Sequence, residues 1–423
     1  KTMTDFPHMM RVRQTFDDTA LDDIPGEINR QLANLKLESS VQEGQTVAVA
    51  CSSRGLANYG TIVKAIVSFL KKLKLDPFLI PAMGSHGAAT AAGQKRVLEH
   101  LGIDEAQVDA PIRSSLEIVQ IGKTGEGITV YMDRLASEAD HIVLINRIKK
   151  HTEFEHEFES GLLKMMAIGL GKQEGAAAYH EAMLTYGYPA VILAVARKVM
   201  LHANLLFGVG TVENGYGQTA RIGVGLKENI EEMEKELFVF AKACAPALPF
   251  DEADIILIDE MGKEISGTGF DTKVVGRIGL PLVSPEPERP KIKRIVVSDL
   301  TEGSAGNAVG VGIADIITRR LFDKIDMDAL NMNTITGVCP EMGKIPLTVK
   351  NDIEAIDIAI KCVGLIPREK LKIMRIKNTA LLSEVDVSEA YEDEIAGRDD
   401  LEMITPKREM DFDPAGYLKP FLS

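Results

Sequence analysis

Basic residues are in short supply in this 423-residue chain. Lysine and arginine number 48 against 62 aspartates and glutamates, a formal charge of −14. Such a surface repels nucleic acid and anionic lipid, so neither is expected as a partner. Cysteine is also scarce. Cys51, Cys244, Cys339 and Cys362 form no CxxC pair, which argues against a disulfide framework or a zinc knuckle and fits a reducing compartment. No apolar run approaches the roughly 20 residues of a membrane helix. Residues 1–8 lack the apolar centre of a signal peptide. The expected location is therefore cytoplasmic. No P-loop is present, and Gly306-Asn-Ala-Val-Gly310-Val-Gly312 does not spell GxGxxG in register. A plain dinucleotide-binding dehydrogenase is thereby disfavoured.

What is present is a soluble, two-domain α/β pattern. The length exceeds one ordinary core. Thr46–Cys51 is a short apolar run with β-branched residues and reads as a buried strand. Asn58 is placed to cap a periodic helix running to about Leu75. Pro77–Pro81 is the next strand, and Thr90 opens a helix to His100. Strand, loop, helix, repeated, is a parallel βαβ pattern whose ligands gather at the carboxyl ends of strands. Further strands are expected over 127–132 and 141–146, helices over 172–186 and 189–203, a strand pair over 205–212 and 219–224, and a helix over 227–242.

Two prolines in Ala245-Pro-Ala-Leu-Pro-Phe-Asp251 mark the boundary. The expected domains are residues 1–248 and a smaller one over 249–423, both α/β with largely parallel sheets. In the second, strands over 254–259, 294–299 and 372–376 alternate with glycine-rich loops, and helices are expected near 314–322 and 351–363.

Candidate chemistry concentrates in the strand-exit loops. His86 lies in Gly84-Ser85-His86-Gly87, where flanking glycines permit a tight turn and present an imidazole suited to general base work; the plainer reading is a loop histidine bonded to backbone. His151 and His156 sit among Glu153, Glu155, Glu157 and Glu159. That cluster suits a His/carboxylate metal site, or a solvated acidic loop. Lys164, in Ser160-Gly-Leu-Leu-Lys164-Met-Met, is either a lysine activated by burial or one whose stem packs while its charge reaches water. His180, on an alanine-rich helix, reads by itself as a surface histidine. Lys273, Arg277, Asp299, Glu302 and Asn307 are the polar residues of the glycine-rich loops of the second half, which are able to cradle phosphate through backbone N–H groups.

The ordered set Ser53-Arg54, Gly84-Ser-His86-Gly, His151, Ser160-Gly-Leu-Leu-Lys164 and His180 resembles the nickel-dependent lactate racemase family over nearly the whole chain, most strongly over residues 46–182. That resemblance implies a nickel-pincer nucleotide attached covalently at Lys164, with His180 as nickel ligand. It implies His86 and His151 as the two acid/base histidines, and Ser53 and Arg54 as cofactor-binding residues. Two α/β domains with the active site in the cleft between them, a 2-hydroxy acid substrate and partner proteins that build the cofactor complete the expectation. Lys273, Arg277 and His156 are assigned to substrate. Cys51 stands where the family carries Asp, and the second-half loops depart from the lactate enzymes. A larger or more polar 2-hydroxy acid, inverted at C2, is therefore expected. The alternatives are a divalent-metal hydrolase or lyase built on the histidine and glutamate cluster, and a non-catalytic ligand-binding relative.

Overall fold

The computed structural model describes residues 6–53, 55–84, 86–87, 90–280 and 283–420. The chain divides into two compact units. The first comprises residues 17–245; the second comprises residues 246–423 together with the chain up to Phe16. Residues 6–16 thus group with the second unit, where the sequence pattern puts them in a 1–248 domain. Strand β1 (Met9–Gln14) pairs antiparallel with strands near the C-terminus, with Arg11 opposite Asp386. Its alternation explains the destination. Met10 and Val12 enter the core of the second unit. Arg11 makes a two-pronged, buried ion pair with Asp386 at 2.7 and 3.1 Å.

The first unit contains β2 (Thr46–Cys51), β3 (Asp76–Pro81), β4 (Ile118–Lys123), β5 (Thr129–Asp133), β6 (His141–Arg147), β7 (Leu205–Glu213) and β8 (Thr219–Leu226). Its main sheet has the order β3-β2-β6-β7-β8, parallel except for β8. Central strands β2 and β6 are covered on both faces, which is why Val47–Cys51 and Ile142–Ile145 carry no polar alternate. The helix Tyr59–Lys72 buries Ile62, Val63, Ile66, Val67 and Leu70 on one face. Each such side chain contributes roughly 1.5–3 kcal/mol. Asn58 does not cap this helix through its side chain; its φ is 60° and its amide donates to Thr219 Oγ1 at 3.1 Å. The expected strand over 127–132 is β5, which forms a two-stranded hairpin with β4.

The second unit contains β9 (Glu252–Ile258), β10 (Lys291–Val297), β11 (Ile316–Thr318), β12 (Leu347–Val349), β13 (Ile373–Ile376), β14 (Glu384–Ser388) and β15 (Leu401–Met403). The sheet order is β12-β11-β10-β9-β13-β14-β1-β15. Its first five strands are parallel and its last three antiparallel. The helix expected near 314–322 is instead β11 followed by the short helix Arg319–Phe322, which Thr318 caps by accepting from Leu321 N–H. Two consecutive β-branched isoleucines and a threonine favour the strand there. Among the described residues no helix is long and apolar enough to cross a membrane.

Candidate active site

In an open parallel sheet, ligands gather where strand order reverses. In the first unit the chain moves from β2 to β3 on one side and returns to β6 on the other, so that point lies between the carboxyl ends of β2 and β6. At the exit of β2, Ser52 N–H donates to the Tyr59 hydroxyl at 2.6 Å, and Ser53 is half-buried next to it. Arg54 lies outside the described residues. Ala57 N–H donates to Glu213 Oε1 at 2.7 Å, and Arg147, at the end of β6, pairs with the same carboxylate, so the two exits are tied together. Cys51 closes β2 as an apolar filler: burial pushes its thiol up to about 12.

The exit of β6 is a loop pinched at its base by reciprocal backbone bonds between Lys149 and Ser160, 2.9 and 3.1 Å long. Glu159 is buried inside it and accepts from the N–H groups of His151 at 2.5 Å and His156 at 3.4 Å. This glutamate is the anchor of the loop and not part of a solvated face. The His151 ring packs on Phe154, whose ring stacks on Tyr188. Glu153 N–H donates to His151 Nδ1 at 3.1 Å. That bond places the proton of the neutral ring on Nε2. His151 Nε2 lies 2.6 Å from Lys164 Nζ. The contact puts the amine and the imidazole within hydrogen-bond reach of each other.

Lys164 ends the short helix Leu162–Lys164, which runs on into a π turn over Met165–Gly169. There Leu170 N–H reaches back to Met165 O at 2.9 Å. Such turns are frequent at functional sites. The start of this segment is held by Glu234, whose Oε2 accepts from Leu163 N–H at 2.9 Å. Glu234 is fully buried, and burial pushes its carboxyl up to about 7.

His86 follows a turn at Gly84, where φ is 56°. Its backbone N–H and its Nδ1 lie 3.1 and 2.8 Å from Met83 O. A carbonyl only accepts, so Nδ1 carries the proton and Nε2 is the basic nitrogen of the neutral ring. His86 and His151 are thus held in opposite tautomers by backbone groups. The His86 loop docks on the π turn backbone to backbone: Gly84 N–H donates to Gly169 O at 3.3 Å, and a Cβ on Gly169 would stand 2.7 Å from Ala82 O. His180 is half-buried on the helix Lys172–Tyr186 that follows the π turn. Its neighbour Tyr179 is fully buried and accepts from Tyr131 N–H at 2.8 Å, which fixes the helix to the β4–β5 hairpin. His86, His151, Lys164 and His180 therefore stand on two loops, a short helix with its π turn, and the helix that follows, and direct bonds join the two loops to the Lys164 segment.

His156 is not drawn into this set; its ring lies edge-on to Phe158 at 4.6 Å. Among the described residues no group of three His, Cys, Asp or Glu side chains is arranged to hold a metal ion, so the His/Glu cluster does not form the metal site that a hydrolase reading needs. In the second unit, Lys273 stands in a one-turn helix capped by Asp271, which accepts from Lys273 N–H at 2.9 Å. The Arg277 guanidinium donates to Ile313 O at 3.0 Å, to Asp315 Oδ2 at 2.8 Å and to the carbonyls of Ile292 and Lys293 at 3.3 Å. Asp299 pairs with Lys324 and Arg320, Glu302 with Lys324, and Asn307 accepts from Val309 N–H. Sequence reasoning missed Glu159, Glu234 and Lys172. Glu159 was hidden in a run of glutamates, and the others are charged residues in segments whose periodicity says nothing of their partners.

Residues 14–188 match the family model described as the lactate racemase N-terminal domain. That stretch is similar to the N-terminal domain of the lactate racemases. Its fold is similar to that of the lactate racemase apoprotein from Thermoanaerobacterium thermosaccharolyticum, with a TM-score of 0.52 and 15% identity over 85% of this chain and 92% of that one. It is also similar to a protein from Thermotoga maritima, with a TM-score of 0.55 and 15% identity over 87% of this chain and 99% of that one. No curated protein sequence matches it.

Proposed function

We propose that this protein is an isomerase that inverts C2 of a 2-hydroxy acid, with a nickel-pincer nucleotide attached at Lys164 and His180 as the nickel ligand. The observation that carries the reading is the 2.6 Å contact between Lys164 Nζ and His151 Nε2. It joins the residue assigned to cofactor attachment to one assigned to proton transfer, inside the segment that matches the lactate racemase domain. The residues present fit the group. Lys164 is a half-buried amine in contact with His151, and His180 is a half-buried imidazole on the helix that follows. When bound, the nickel-pincer nucleotide supplies the hydride acceptor for C2.

The chain's own residues handle the protons. His86 Nε2 takes the hydroxyl proton of one enantiomer, and His151 Nε2–H delivers one to the carbonyl oxygen of the planar 2-keto acid for the other. In the reverse direction the roles exchange. Were Lys164 joined to the cofactor through a thioamide, its nitrogen lone pair would be delocalised, leaving His151 Nε2–H available to substrate. Ser53 and Arg54, at the exit of β2, are assigned to the anionic groups of the cofactor. The substrate is proposed to be a larger or more polar acid than lactate, such as a sugar acid or a dicarboxylate.

The test is inversion of configuration at C2, with retention of a C2 deuterium label, in a panel of 2-hydroxy acids, using holoprotein from a host that builds the cofactor. The reading expects scrambling of configuration in at least one acid and its loss in His86→Asn. Tight binding of an acid without any C2 turnover favours a ligand-binding relative instead.

A further inference from the structure

Lys172 has no part in the chemistry above, yet it is the most constrained lysine of the first unit. Its side chain is 0% exposed, and its backbone is left-handed, with φ at 55°. That conformation is unfavourable for any residue with a Cβ and persists only where the surroundings impose it. The Lys172 ammonium donates to Pro81 O at 2.6 Å and to Gln94 Oε1 at 3.4 Å, and forms an ion pair with Asp133 Oδ2 at 2.7 Å.

Each acceptor leads to the candidate site. Pro81 is the last residue of β3, from which the His86 loop departs. Gln94 is fully buried, and its Nε2 donates to Gly84 O at 2.9 Å and to His86 O at 3.3 Å, so it clamps the loop on both sides of its turn. The ammonium takes the oxygen of that amide and thereby turns its NH2 toward the two carbonyls. Asp133 ends β5 and is held in turn: its N–H donates to Leu170 O at 2.7 Å, and its Oδ1 accepts from Ala136 N–H at 3.1 Å. The backbone of Lys172 itself begins the helix that carries His180. Replacing a buried ion pair with apolar groups is often neutral for stability, so stability alone does not account for a pair built on an unfavourable backbone.

We propose that Lys172, with Asp133 and Gln94, is a positioning device that fixes the His86 loop against the π turn and the start of the His180 helix. The role of His86 as acid/base rests on the proposed function; the clamp on its loop does not.

Two holoprotein variants test this. Gln94→Leu breaks the clamp and leaves the ion pair. The double variant Lys172→Met/Asp133→Leu removes both charges together, so neither is left buried and alone. In both, amide hydrogen exchange at Gly84, His86 and Gly87 is expected to rise about tenfold or more while global unfolding stays close to that of the wild type. The kcat for C2 inversion is expected to fall about 10²-fold with KM changed by less than about twofold, because the loop places a proton acceptor and not the substrate. Unchanged exchange and unchanged kcat in Gln94→Leu overturn the proposal and leave Lys172 as packing. If the wild type shows no C2 inversion with any acid, the racemase reading fails. Amide exchange then decides the positioning claim by itself.

Discussion

The strand-exit loops of the two units come from the same sequence habit, an apolar strand followed by a polar loop rich in glycine, but their charged groups are used in opposite ways. In the second unit cations meet carboxylates: Arg277 meets Asp315, Lys324 meets Asp299 and Glu302, and Arg375 meets Asp259. These pairs satisfy each other and hold loops in place. In the first unit Lys164 meets an imidazole, and the two histidines are oriented by backbone groups, His86 by Met83 O and His151 by Glu153 N–H. Backbone partners fix a tautomer without adding charge, so the ring keeps both its orientation and its capacity to exchange a proton. The carboxylates of the first unit stand one layer back: Glu159 and Glu234 hold backbone N–H groups, and Asp133 holds Lys172.

This contrast can be broken in order of expected effect. Lys164→Met is predicted to abolish the cofactor adduct and to lower C2 inversion by at least about 10⁴-fold, since the cofactor carries the difficult step; peptide mass and chiral analysis of the product check it. His86→Asn and His151→Asn are each expected to cost about 10²–10⁴-fold in kcat while the adduct still forms, the usual scale for a lost acid or base. Glu234 tests the layer behind. A carboxyl raised in the folded state binds its proton more tightly folded than unfolded, so its contribution is complete below about 4.5 and is lost as pH rises through about 7. Urea unfolding of Glu234→Gln against the wild type is therefore expected to shift in the variant's favour by about 3 kcal/mol between pH 4.5 and 8.

In the second unit the expected effects are on stability. Arg277→Met removes four hydrogen bonds, one to a carboxylate, and is predicted to cost about 2–3 kcal/mol in the same measurement. Lys324→Met breaks pairs that are partly solvated, and its expected cost is smallest, about 0.5 kcal/mol, falling further in high salt.

Much of the fold was legible because buried strands and helices advertise themselves. Thr46–Cys51 and Lys172–Tyr186 stand in the structure with the bounds read from the sequence. The destination of β1 was not legible, because it depends on Arg11 finding Asp386 across 375 residues. Near residue 316, three β-branched residues outweighed a helical neighbourhood. Within the candidate site, His86, His151, Lys164 and His180 were singled out through the family pattern. Which of His151 and His156 faces the lysine was not. Glu159 decides it by folding the loop around itself, and a buried glutamate in a run of glutamates has no local signature. Lys172 was invisible for a related reason. Nothing in Gly171-Lys-Gln-Glu announces a left-handed, fully buried ammonium.

The central claim is that Lys164 is a tether and not a surface cation. The direct measurement is the mass of the peptide containing Lys164, with metal analysis, in protein produced alongside the enzymes that build the nickel-pincer nucleotide. The account predicts a mass increment confined to Lys164 and about one nickel per chain, both lost in Lys164→Met, with nickel alone lost in His180→Ala. An unmodified Lys164 peptide from protein made under those conditions would contradict it.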